Sequence, residues 1–335
     1  MPHNDPFSWP ETIEPSEVFK PIWNQSTFFG RLRHFVHLTD PRSLFRSQQT
    51  FLDAKHLLIR YRHHGPNVDG VSQRDVRRAH CLCQAAFHPD NGEYQHPVGR
   101  MGSQVAGGTA VVAGMLLFYK STPAVLLWQW INQTYAAVVL YTNRNANTPL
   151  SRNDIALSYV MSTTAAVSTA LGLKSFLKRF QNRTIHRLVP FAAVMAANAV
   201  NTPLMRRREL INGIPLTQTP NGDETVAISR LAACKAMTLI WLSRLVLNIP
   251  PMGFIPPIVE SLERRQIRPK LKQPMLVGVQ IGLTFILIGI STPVSCAVFP
   301  QQSTISANTL RLLEPHAFKR NADNNCDRLY FNKGL

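Results

Sequence analysis

The chain has 335 residues, 36 Lys and Arg against 19 Asp and Glu, a net charge of +17 and a mean hydropathy of −0.07. Such averages suit a soluble basic protein, yet no recognition-helix, RNP or zinc-finger pattern accompanies the charge, which argues against nucleic acid as a partner. Cys81, Cys83, Cys234, Cys296 and Cys326 have neither disulfide-framework nor zinc spacing, so reduced thiols and no metal or other cofactor are expected.

Residues 1–100 read as a soluble, largely helical region. Its start carries Asp5, Glu11, Glu14 and Glu17. That is unlike a secretory signal or an Arg-rich, acid-poor transit peptide, so targeting is expected to be read from inside the chain. Asp40-Pro41 has the chemistry of a helix start, because Asp caps free N–H groups and Pro suits the first turn. Phe45, Leu52 and Ile59 recur at sevens beside Leu44 and Phe51. Such a stripe serves packing against other helices or a membrane face, and packing is the simpler reading. After Gly65-Pro66 and Gly70, a second helical stretch is expected to end near Phe87. His88-Pro89-Asp90-Asn91-Gly92-Glu93 follows. Its His and Asp resemble metal ligands, but two of them make no site, and Asp-Asn-Gly is turn chemistry.

From residue 101 onward the charge pattern changes. Residues 101–119, 121–143, 155–173, 188–205 and 273–310 contain no Lys, Arg, Asp or Glu, and basic residues crowd their ends. A helix needs ~20 mostly apolar residues to cross a bilayer, and each window has that length. Glycines at 102, 107, 108 and 114 let the first span approach a neighbour closely. In 123–141 the cluster Trp128, Gln129, Trp130, Asn132, Gln133, Thr134 and Tyr135 leaves three readings open: a crossing, a dip and return, or a helix lying at the interface. Residues 155–173, rich in Ala, Ser and Thr, suit a span buried among helices. A weaker segment at 226–249 carries Arg230, Lys235 and Arg244, and 274–299 is the most hydrophobic. The expectation is an all-α, multi-pass membrane protein of about five spans. It divides into a helical region at 1–100, a membrane domain at 101–299 and a tail at 300–335. Five or six spans alike put twice as many Lys and Arg on the N-terminal side as opposite, so the N-terminal region takes the positive-inside side.

Two features inside the spans have chemistry to offer. In Asn198-Ala-Val-Asn201-Thr-Pro203-Leu-Met-Arg206, the two asparagines lie within about 60° of each other on a helix. Pro203 has no N–H for the carbonyl of Ala199. Amides with a free carbonyl offer donors and acceptors together, as a small zwitterion requires; alternatively they bridge neighbouring helices. Arg244 lies mid-span, where a charge costs at least about 2.5 kcal/mol and therefore pairs, faces a cavity or snorkels. Arg230 falls within about 40° of it and would extend a basic stripe, unless both reach opposite interfaces. Paired catalytic carboxylates, a Ser-His-Asp set, a Walker lysine and a GxGxxG fingerprint are all missing, so no enzyme is expected.

Several stretches resemble the sideroflexin family of mitochondrial inner-membrane carriers. They are Trp23 to Arg31, Thr39 to Arg42, His88-Pro89-Asp90, Thr122 to Val125, Trp128 to Gln133, Tyr141 to Arg144 and Val189 to Ala193. The Asn198 to Arg206 motif, Glu209-Leu210, Ser243-Arg244, Phe299 to Gln301 and Tyr330 to Leu335 complete the set. Among the family's branches the sideroflexin-2 type is the nearest likeness. The resemblance implies a multi-pass helical protein, usually drawn with five spans, that carries small amino acids into the matrix for one-carbon metabolism, serine above all. Its N-terminal region would lie in the matrix, and five spans would leave the C-terminus in the intermembrane space. Some branches are tied instead to iron and haem homeostasis or respiratory-complex assembly, a non-transporting alternative. Three positions depart from the family pattern: Asn91 in place of Thr, Pro251 in place of Gly and Thr202 in place of Ile. The expected solute site, inside the bilayer, comprises Asn198, Asn201, Pro203 and Arg244, with Gln129, Asn132 and Gln133 as polar neighbours.

Overall fold

The computed structural model describes residues 13–19, 21–65, 70–88, 92–118, 121–143, 152–177, 188–219, 224–264, 273–318 and 327–333. Helices dominate. The N-terminal region is built from α1 (Phe28–Leu38), α2 (Gln48–His64) and α3 (Gln73–Ala86), each opened by a hydroxyl cap: Thr27, Ser47 and Ser72 accept from Gly30 N, Thr50 N and Asp75 N. Asp75 returns a bond to the Ser72 backbone, completing a capping box. Phe51, Ala54, Leu58 and Tyr61 of α2 meet Val76, Ala79 and Cys83 of α3 in one buried cluster.

Two sequence expectations shift here. Asp40-Pro41 opens only a 3-10 turn, Pro41–Phe45, and the α-helix begins at Gln48. The packed stripe is Phe51 and Leu58, one residue before the expected Leu52 and Ile59, while Phe45 is 89% exposed. The expected turn between Phe87 and Tyr94 is present: His88 N donates to Glu93 O and Gly92 N to His88 O, beside a Phe87–Tyr94 bridge. Asp90 and Asn91 lie outside the described residues.

Beyond Arg100, among the described residues, six helices form a bundle: α4 (Ser103–Phe118), α5 (Thr122–Thr142), α6 (Arg152–Leu177), α7 (Val189–Met205), α9 (Arg230–Asn248) and α11 (Gln273–Val298). Short helices α8 (Arg207–Asn212) and α10 (Ile255–Arg264) lie between, and a π-helical turn, Ile249–Phe254, joins α9 to α10. Three stretches are long and apolar enough to cross a membrane, Ile155–Phe176, Arg230–Ser261 and Met275–Val298; Ser103–Phe118 and Val189–Leu204 are shorter apolar helices. The burial pattern is inverted relative to a soluble protein. Leu126, Leu127, Trp130, Val160, Phe285, Ile286 and Ile290 point outward, while Gln129, Ser158, Ser162, Thr284, Thr292 and Ser295 are buried. Apolar residues outside and polar residues inside are what a hydrocarbon solvent selects.

Helix α5 is continuous over 21 residues, which removes the dip-and-return reading. It runs antiparallel to α4. Tyr135 lies against Gly107 and Trp128 against Gly114, so closely that a Cβ on Gly107 would sit 2.6 Å from the Tyr135 hydroxyl and one on Gly114 1.9 Å from the Trp128 ring. The small residues of the first span serve this approach. On its other side α5 meets α6, where Thr134 Oγ1 and Tyr159 Oη share a hydrogen bond of 2.8 Å. Thus α5 has the depth of α4 and α6, and six helices run up and down the bundle. Helix α1 and Lys333 lie at one end of it: Arg31 of α1 donates to Ala297 O at the end of α11 (2.8 Å), and Arg206 at the end of α7 donates to Lys333 O (2.6 Å).

The sequence reading contained no sheet. β1 (Ile214–Thr217) and β2 (Thr225–Ser229) join β3 (Gln302–Ser306) and β4 (Arg328–Asn332) in the order β2-β1-β4-β3, antiparallel throughout. Residues 226–229, read as the start of a span, are therefore strand. Helix α9 begins only at Arg230, where Ser229 Oγ accepts from Ala232 N and Glu314 accepts from Leu231 N and Ser229 Oγ. Helix α12 (Ala307–Leu313) supplies Leu310 to the core beneath the sheet, with Leu216, Ala233, Met237, Leu329 and Phe331.

Candidate functional site

A cavity of about 240 Å³ lies inside the bundle, walled by α4, α5, α7, α9, α11 and the residue that follows β4. Val111, Val112, Val194 and Ile288 close one end, where they join Met115 and Met252 in an apolar cluster. Met101, Asn143, Cys296 and Lys333 line it towards the end that carries α1. Between these ends the wall is amide-rich: Gln104, Asn132, Gln133, Asn198 and Asn248, with Ser243, Thr292 and Ser295. Two cations, Arg244 and Lys333, line it, and among the described residues no carboxylate does.

Helix geometry explains the convergence. On α9, Ile240, Ser243, Arg244 and Leu247 follow the three- and four-residue spacing of a single face. On α5, Asn132, Gln133, Ala136, Val139 and Asn143 do the same. The Arg244 guanidinium is fixed by Asn198 of α7, whose Oδ1 accepts from Nη1 at 2.8 Å. Asn248 Nδ2 donates to the Arg244 carbonyl at 2.7 Å. Tyr135 Oη donates to the Ser103 carbonyl at 2.8 Å, which ties the middle of α5 to the start of α4 beside the cavity. The charge-assisted Arg244–Asn198 bond leaves the other guanidinium nitrogens available in a place that water and lipid reach poorly.

Four of the seven residues expected at the site, Asn132, Gln133, Asn198 and Arg244, share this wall; Gln129, Asn201 and Pro203 do not. Gln129 is wholly buried elsewhere in the bundle, and Asn201 is 8% exposed, one turn beyond Asn198. Pro203 sits near the end of α7, and Ala199, whose carbonyl it leaves without a helical donor, is exposed and outside the cavity. The basic stripe fails for Arg230, which is exposed at the first turn of α9. Fourteen residues of helix separate it from Arg244 by about 21 Å. Lys333, Cys296, Asn143 and Asn248 were missed by sequence reasoning. Lys333 carried a signal: it follows the alternation Leu329, Tyr330, Phe331, Asn332 in phase with the apolar positions, so a strand there turns it inward, and it is 4% exposed.

A family model for Sideroflexins matches residues 17–335. Sideroflexin-1 of Sus scrofa is 42% identical over 318 residues, 95% of this chain and 97% of its own. Sideroflexin-2 of Drosophila melanogaster is 41% identical over 331 residues, covering 95% and 98%, and Sideroflexin-3 of Homo sapiens 39% over 323 residues, covering 95% and 97%. These near-equal identities do not single out the second type. No solved structure matches the chain.

Proposed function

Because the chain belongs to the sideroflexin family of helical membrane proteins, we propose that it carries small neutral amino acids, serine first among them, across the mitochondrial inner membrane to supply one-carbon metabolism in the matrix. The observation that supports this reading is the cavity itself, in which Arg244 is held by Asn198 among uncharged amides and hydroxyls. Its chemistry divides as an amino acid does. A carboxylate accepts from the guanidinium, and an ammonium group donates to amide and hydroxyl oxygens. At about 240 Å³ the space lies below the ~300–1,000 Å³ of drug-sized pockets and suits a solute of a few heavy atoms. An apolar cluster at one end and a polar, cationic mouth at the other are the asymmetry expected of a carrier resting with one side closed.

In this reading Asn198, Arg244, Asn132 and Gln133 contact the solute. Asn201, Pro203 and Gln129 shape the helices around it. The N-terminal region and the sheet lie together on the matrix side, where the greater number of Lys and Arg belongs. The test is uptake of labelled serine into liposomes containing only the purified chain. Saturable flux above that of empty vesicles, competed by other small neutral amino acids, is the expected result. Folded protein without flux would turn the assignment towards a non-transporting role in iron or haem homeostasis or complex assembly.

A further inference from the structure

The cavity's second cation has a setting unlike the first. Lys333 stands directly after β4, and its backbone is pinned on both sides: its N–H donates to Gln301 O at 2.7 Å and its carbonyl accepts from Arg206 Nη1 at 2.6 Å. Its ammonium group donates to Phe299 O at 3.3 Å and lies 5.7 Å from the centre of the Phe299 ring. The charged or titratable groups that face it are Cys296 from α11, Arg31 from α1 and Arg206 from the end of α7. Arg31 is occupied by the carbonyls of Ala297, Gln25 and Ser26, and Arg206 by the Glu209 carboxylate and the Lys333 carbonyl. Cys296 faces Arg244 as well, so the two cavity cations flank one thiol. An ammonium group has three donors, and a buried one without a counter-ion is costly unless an anion joins it.

We propose that Lys333 is the second anchor for the solute carboxylate, opposite Arg244, and that the arriving carboxylate fixes a proton on it, so that solute binding is linked to proton uptake. The proposal rests on the amino-acid-carrier reading above. In the empty protein burial brings the Lys333 ammonium down to about 8; Cys296 opposes that shift, and Arg31 and Arg206 add to it. A carboxylate beside it restores the charged form. The step is a plain protonation: the neutral fraction of Lys333, which grows as pH rises through about 8, takes a proton from solvent as the carboxylate enters and gives it up when the solute leaves. Sites that bind proton and solute together show reciprocal coupling. With a resting value of about 8, the apparent KM rises about fourfold between about pH 7 and about pH 8.5, below the range where the solute's own amino group titrates strongly.

Initial rates of serine uptake into liposomes, with equal pH inside and outside, test this on the full chain and on Lys333→Arg, Lys333→Gln and Cys296→Ser. The expected results are the wild-type rise in KM, a KM in Lys333→Arg that no longer responds to pH, and a KM in Lys333→Gln that is flat with pH and about tenfold above the wild-type value at about pH 7. Cys296→Ser keeps the pH response. A wild-type KM that is flat with pH, or a Lys333→Gln variant with the wild-type profile, overturns the proposal. Thermal unfolding with serine and with acetate, at the same two pH values, separates the two readings. If the wild type moves no serine, the carrier reading fails. Stabilisation by acetate that weakens with pH and is lost in Lys333→Gln still upholds the anchor, and its absence overturns it. Should Lys333→Gln fail to fold, the comparison of wild type with Lys333→Arg decides.

Discussion

Replacing Asn198 in two ways separates stability from function, because the residue holds Arg244 and the solute carboxylate would compete for the same guanidinium. In Asn198→Ala the 2.8 Å bond from Arg244 Nη1 is lost and nothing takes its place. A hydrogen bond to a charged group is worth about 1.5–3 kcal/mol, so the solute-free protein is expected to lose about that much stability. The guanidinium remains free to bind a carboxylate, and KM should move only a few-fold. In Asn198→Asp a carboxylate lies where the amide oxygen was, and a buried ion pair forms. Stability should hold or rise, yet the cation is neutralised. Loss of one charge-assisted contact to the solute then raises KM by about tenfold or more, at about 1.4 kcal/mol per decade. Thermal unfolding in detergent and uptake into liposomes measure the two quantities. Wild-type uptake by Asn198→Asp would refute the placement of the carboxylate at Arg244. Equal losses of stability and of uptake in both variants would show Asn198 to be a strut.

Gly114→Ala should cost about 1–3 kcal/mol and shift tryptophan fluorescence, because the new methyl overlaps the Trp128 ring; an unchanged spectrum and unfolding midpoint would contradict the α4–α5 contact. His34 is half-buried on α1 with its Nδ1 enclosed and unbonded, and burial first, then His80 and His37, lowers it to about 4. The unfolded chain takes that proton near 6.5, so stability falls as pH drops below 6.5 and levels off below about 4, by up to about 3 kcal/mol at ~1.4 kcal/mol per unit. Midpoints measured from neutral pH downward should fall less steeply in His34→Phe than in the wild type. Glu314→Ala removes the acceptor at the start of α9 and should cost about 1–2 kcal/mol; amide exchange faster at Leu231 than at Ile240 would confirm that the loss is local.

The bundle was legible because its signal repeats. Uncharged windows of helix length recur along the chain, and the small residues at 107 and 114 mark a close crossing. The place of 123–141 was not legible, since its central amides and aromatics fit an interface as well as an interior; only contacts with both α4 and α6 put it beside them in the bundle. Short strands with polar exposed faces give little periodicity, and β1 reaches β4 across more than a hundred residues, so the sheet left no local mark. At the site, Asn198 and Arg244 stood out because polar groups mid-span are costly. Spacing alone grouped Asn201 with Asn198 and Arg230 with Arg244, although a turn of helix or more divides each pair. Lys333 hid in a segment that reads as a polar tail.

The sheet also orders assembly in time. Strands β1 and β2 emerge between the fourth and fifth bundle helices, but β3 and β4 follow the last one, so β1 waits with an open edge until β4 has been made. Lys333, which lines the cavity, is therefore made only after all six bundle helices. A chain interrupted before residue 302 would hold all six bundle helices and still present quality-control proteases with an unpaired strand and an inner chamber lacking part of its wall.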